Sequence, residues 1–123
     1  LATLKASTFA SRDDAEEHYL SMIDMHAANA RHIDSAQADV YKQKLKEARE
    51  GCGELLESEA KELGMPLDVL VNAVLHQHEK RQLRSHHIEL DRVKAKANIR
   101  KANTAAEMYE AVKEFKQQLT LLQ

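Results

Sequence analysis

Residues 76 to 87, HQHEKRQLRSHH, place four histidines and three lysine or arginine side chains in twelve positions. Imidazoles in such density suggest a metal site, and the accompanying cations suggest a phosphate-binding face. A helix holds a metal only when its ligands stand three or four residues apart, since only those side chains converge on one ion. His76 and His78 would point about 200° apart around a helix, and His78 and His86 would lie about 12 Å apart along its axis. Only His87 and Asp91 have ligand spacing, and two ligands do not define a zinc site. The single cysteine, Cys52, stands between Gly51 and Gly53 with no neighbouring histidine to activate it and no second cysteine at ligand spacing. With no nucleophile elbow, Walker loop or paired acid in a recognisable setting, the expectation is a chain that is not an enzyme and uses neither metal nor cofactor.

The elements that would position these side chains are helices. The chain has 123 residues with three glycines, one proline and no tryptophan, and it is rich in Ala, Leu, Glu, Lys and Gln. Such a composition favours helix over strand. Ser11 followed by Asp13 and Asp14 predicts an N-cap for a first helix reaching about residue 32. Ser35 is a second cap candidate, before an apolar stripe through Tyr41, Leu45, Ala48, Leu55, Leu56, Ala60 and Leu63. Gly51 and Gly53 predict a break in that stripe, Gly64 an end to it, and Pro66 the start of the next helix. That helix is expected over about 66 to 101, roughly 50 Å long. Its seam runs Leu67, Leu70, Val74, Gln77, Arg81, Arg84, Ile88, Asp91 or Arg92, Ala95, Ile99 and Ala102, apolar at both ends and polar in the middle. Thr104 and Glu107 form a capping box for a last amphipathic helix. The predicted fold class is an all-α antiparallel helical bundle with one helix of about 35 residues, organised as a flexible or partner-ordered arm over 1–10 and a single helical domain over 11–123.

Charge is unevenly placed. Residues 11 to 63 carry seven basic and thirteen acidic side chains, a balance of −6, and residues 76 to 101 carry eight and three, a balance of +5. Pairing of oppositely charged helices explains this more simply than a nucleic-acid footprint does. Residues 59 to 75, EAKELGMPLDVLVNAVL, imitate a helix-turn-helix at Ala60, Gly64 and Leu70. The side chains that would face a groove, however, include Pro66, Leu67, Asp68 and Val71, which are poor base readers. No apolar run approaches the length of a membrane span.

Three stretches, YKQKLKEA (41 to 48), LLESEAKELGM (55 to 65) and IELDRVKAKANIRKANTAAEM (88 to 108), form a spaced pattern. It resembles a family of small helical proteins of tailed bacteriophages found among tail and tail-fibre genes. The resemblance covers roughly residues 5 to 108 and rests on Tyr41, Lys44, Glu47, Ala48, Glu59, Ala60, Ile88, Glu89, Arg92, Ile99 and Ala102. It departs from the family over Asp34 to Val40, where a glycine-glutamine pair is usual before the tyrosine, and in the middle of the long helix, where histidines replace an aromatic residue. The resemblance implies a structural or interaction component of a virion, tail-associated through tail, baseplate or fibre attachment, made in the host cytoplasm. Its partners would be other virion proteins, with homo-oligomers as a further option and neither membrane nor nucleic acid. It also implies an aromatic and small residues in the core, with Lys44, Glu47, Glu89 and Arg92 as inter-helix pairs. The polar seam positions Gln77, Arg81 and Arg84, with His78 and His87 of the histidine stretch, are the interface candidates. The alternatives are a helix-turn-helix-like DNA-binding regulator acting through residues 54 to 101, and a tail-assembly chaperone.

Overall fold

The computed structural model describes residues 9 to 122. They form five α-helices and, among the described residues, no strand: α1 (Arg12–Arg31), α2 (Ser35–Glu50), α3 (Glu54–Leu63), α4 (Leu67–Lys101) and α5 (Ala105–Leu121). The fold is all-α, and α4 is the expected long helix, 35 residues in length. The arm expected over 1–10 falls outside the described residues except for Phe9 and Ala10. Phe9 packs on the core, its ring centroid 5.6 Å from that of Tyr19.

The helix ends follow from local chemistry. The Ser11 hydroxyl accepts from the Asp14 N–H, and the Thr104 hydroxyl from the Glu107 N–H. The Glu107 carboxylate reaches back to the Asn103 N–H rather than to that of Thr104, so the reciprocal half of the box is shifted by one residue. Asp34, not Ser35, caps α2 by accepting from the Ala36 N–H. Gly51 and Gly64 end α2 and α3 in the left-handed region, at φ 81° and 64°. A side chain would be strained at either position, whereas glycine lets the following amides close back onto the last carbonyls.

The described residues pack as two compact units. Unit 1 joins the residues up to His32 with those from Arg84 onward. It is a three-helix arrangement of α1, the C-terminal part of α4, and α5. Arg12 bonds to carbonyls near Ala102 while Arg31 bonds to the Ser85 carbonyl, so α1 and α4 run antiparallel. Its core includes Tyr19, Ile23, Ile88, Ile99, Met108, Val112 and Phe115. Unit 2, residues 33 to 83, packs α2, α3 and the N-terminal part of α4 around Ala48, Leu56, Ala60, Leu70 and Val71. Among the described residues no helix is long and apolar enough to cross a membrane.

Candidate functional site

In unit 2 the histidine stretch meets α2. The Tyr41 hydroxyl is hydrogen-bonded to His78 Nδ1, and the Arg81 guanidinium lies over the Tyr41 ring, 4.7 Å from its centroid. On the far side of the imidazole, His78 Nε2 is 3.5 Å from Arg49 Nη2 and 3.4 Å from Gln82 Nε2. One turn of α4 separates His78 from Arg81 and Gln82, so a single helix face brings His78 and Arg81 to Tyr41 and Gln82 to His78. Tyr41 is therefore half-buried at a polar contact rather than in the apolar core that the family pattern implies. The cation over its ring uses the negative face of the aromatic, a contact worth on the order of 0.5 to 1 kcal/mol at an exposed site.

Among the described residues Glu47 is the most buried charged side chain, at 5% exposure, and it makes no inter-helix ion pair there. Its Oε1 accepts from the Leu56 N–H at 2.9 Å and its Oε2 from the Gln43 amide at 2.6 Å. These bonds, first that of Gln43 and then those of the Leu56 and Leu55 amides, hold its carboxyl below the ordinary carboxylate range despite burial. Glu47 of α2 thus caps the N-terminus of α3, whose own N-cap residue, Gly53, has no side chain to do so. A Cβ at Gly53 would lie 2.2 Å from Glu47 Cγ. The two glycines around Cys52 therefore serve different needs: Gly51 supplies a left-handed turn, and Gly53 makes room for the capping carboxylate. Lys44 does form the expected inter-helix pair, with Glu59 at 2.6 Å.

In unit 1 the other family-pattern residues form a network. Glu89 accepts from Arg92 on its own helix and from Arg31 of α1, and these bonds, chiefly that of Arg92, hold its carboxyl down to about 2. Arg92 continues to Asp24 at 2.9 Å, where Lys96 joins it. The Glu89–Arg92 pair lies within one helix, and the link to α1 comes through Arg31 and Asp24. Arg84, an interface candidate, is committed inside the unit: its Nη1 donates to the Ala30 carbonyl at 2.9 Å and its Nε to the Leu122 carbonyl at 3.2 Å. Those are the free C-terminal carbonyls of α1 and α5. Arg12 does the same for α4, donating to the Ala102 and Arg100 carbonyls.

The remaining candidates, Gln77 and His87, are exposed, as is His86. Among the described residues no three His, Cys, Asp or Glu side chains gather as a metal site. Cys52 is exposed and free. In each unit α4 also leaves apolar side chains in solvent: Val69 and Leu83, the latter 59% exposed, in unit 2, and Leu90 and Val93, 54% and 52% exposed, in unit 1.

Comparison with known proteins returned no match. No family model, curated protein sequence or solved structure matches the chain. The roles of Tyr41, Glu47 and Arg84 accordingly come from their contacts alone. Their partners are backbone amides, backbone carbonyls and a neighbouring imidazole, which side-chain spacing does not encode.

Proposed function

We propose that this chain is a structural, protein–protein interaction component of a bacteriophage virion, tail-associated through tail, baseplate or fibre attachment. The observation that carries the interaction part is the outward side of α4 in unit 1. Leu90 and Val93 stand more than half exposed beside His86 and His87, while the opposite side of the same helix buries Ile88, Ala95 and Ile99. Apolar side chains held outward on a rigid helix favour contact with another protein over solvent. The phage part of the reading rests on the spaced pattern of residues 41 to 48, 55 to 65 and 88 to 108.

Mass spectrometry of purified particles tests the proposal. The chain should be present in finished virions in a fixed ratio to a tail protein, and light scattering should show it associating with that protein. Presence in assembly intermediates alone would replace this reading with a tail-assembly chaperone. Absence from both, together with sequence-selective duplex binding that falls steeply with salt, would replace it with a DNA-binding regulator.

A further inference from the structure

Along the seam where α1 and α5 pack in unit 1 runs a groove of about 260 Å³, lined by Met22, Tyr109, Val112, Lys113, Lys116 and Gln117, with Thr120 at one end. Its chemistry is divided. Met22 and Val112 provide an apolar floor, and Lys113 and Lys116, one helical turn apart on α5, provide a cationic rim. Neither lysine is ion-paired among the described residues, in contrast to Lys96 on α4, which is held by Asp24.

Two polar groups of α1 beside this seam are buried without a partner among the described residues. The Tyr19 side chain is 0% exposed and its hydroxyl has no hydrogen bond. Burial first, and then the nearby Tyr109, a lining residue, raises the pKa of its phenol. His26, one turn along α1 from Met22, has a buried Nε2 with no partner. Burial first, and then the charge of Lys116, lowers the pKa of its imidazole. Most buried polar groups are paired, so both carry unused hydrogen-bonding capacity close to groove-lining residues, Tyr19 near Tyr109 and His26 near Lys116.

We propose that this groove binds a small amphipathic anion, in chemical class a short-chain alkyl carboxylate, with its head group on Lys113 and Lys116 and its chain along Met22 and Val112. Size limits the class, because sites for drug-sized ligands run from about 300 to 1,000 Å³ and this one falls just below that range. A single short chain fits; a nucleotide or a sterol is too large. A protein partner is a poorer occupant, since a stable protein interface needs about 800 Å² from each side. A single negative charge suits two lysines above an apolar floor, because one carboxylate is shed from water at less cost than a phosphate dianion. The inference is independent of the virion reading, since it needs only the isolated chain.

Octanoate and octan-1-ol, which share a chain length and differ in charge, are the probes. Each is titrated into the full chain while backbone amide resonances are followed. Saturable shifts from octanoate confined to Met22, His26, Tyr109, Val112, Lys113 and Lys116, with octanol bound at least about tenfold more weakly, are expected, since the charge-assisted contacts are lost with the alcohol. A Lys113→Gln, Lys116→Gln double variant, with both changes on an exposed rim, should keep the parent spectrum, bind octanoate about tenfold more weakly and bind octanol unchanged. Scattered or absent shifts, equal binding of acid and alcohol, or a double variant that binds octanoate as the parent does would each overturn the proposal.

Discussion

Among the described residues, a cluster of thirteen buried side chains, including Tyr19, Ile99 and Phe115, makes the core of unit 1, whereas a cluster of five, with Leu45 buried besides and none of them aromatic, makes that of unit 2. The two units also spend their polar groups differently. In unit 1, Arg12, Arg31 and Arg84 donate to backbone carbonyls between helices that the apolar core already holds together. In unit 2, the buried carboxylate of Glu47 joins α2 to the start of α3, and Tyr41, His78 and Arg81 join α2 to α4. Units of this size bury too little apolar surface to be stable by a wide margin, so the one with the smaller core depends more on its polar links. Unit 1 is therefore an apolar bundle with polar trim, and unit 2 is a polar-pinned assembly with a small apolar centre.

Core truncation should break unit 1 hardest. Phe115→Ala removes an aromatic ring from the centre of the larger core and should cost about 3 to 5 kcal/mol in chemical denaturation, with Leu56→Ala in unit 2 costing about 2 to 5. A change at one glycine tests the polar pin of unit 2. Gly53→Ala pushes against the Glu47 side chain and should cost about 1 to 3 kcal/mol, and that cost should largely vanish in a Glu47→Ala background, where the clash is gone. Additive costs in a double-mutant cycle would refute the link between the two residues. Arg84→Met keeps the aliphatic packing but leaves the Ala30 and Leu122 carbonyls without a donor, and should cost about 1.5 to 3 kcal/mol. Lys44→Gln removes one half-buried ion pair and should cost under about 1 kcal/mol.

Acid should weaken unit 1 in two steps. The His26 imidazole of unit 1 has a lowered pKa, so its contribution to stability is full above the ordinary histidine range, near pH 6.5, and is lost as pH falls below it. From pH 7 to 5, unit 1 should therefore soften. Below the ordinary carboxylate range both units should weaken: Glu89 and Asp24 in unit 1 and Glu47 in unit 2 all have lowered values, and Glu89 loses its contribution only as pH approaches about 2. Amide exchange or resolved resonances followed across this range would check the order.

Helix positions were legible because they depend on local signals: Ser11 and Thr104 as caps, glycines at 51 and 64 as stops, and a three-four apolar rhythm over residues 67 to 102. The division into two units was not. It comes from how far each helix's apolar stripe extends, and α4 contributes to both units through one unbroken seam. The polar middle of that seam suggested an interface, and the structure gives Arg81 and Arg84 internal contacts instead, one on an aromatic face and one on two helix ends. The family pattern implied Glu47 in an inter-helix pair; its role as a cap was not legible, because the amide it accepts from lies nine residues along the chain. The family pattern implied Tyr41 in the core; its hydroxyl needs a partner, and His78 supplies one.

Residue-resolved hydrogen exchange at neutral pH tests the contrast between the units most directly, since amides report local opening according to the contacts that must be broken. The account predicts the slowest exchange in α1, α5 and the part of α4 around Ile88 to Ile99, with α2 and α3 exchanging measurably faster and α3 losing protection selectively on Glu47→Ala. Protection in α3 equal to or greater than that in α5, unchanged by Glu47→Ala, would contradict it.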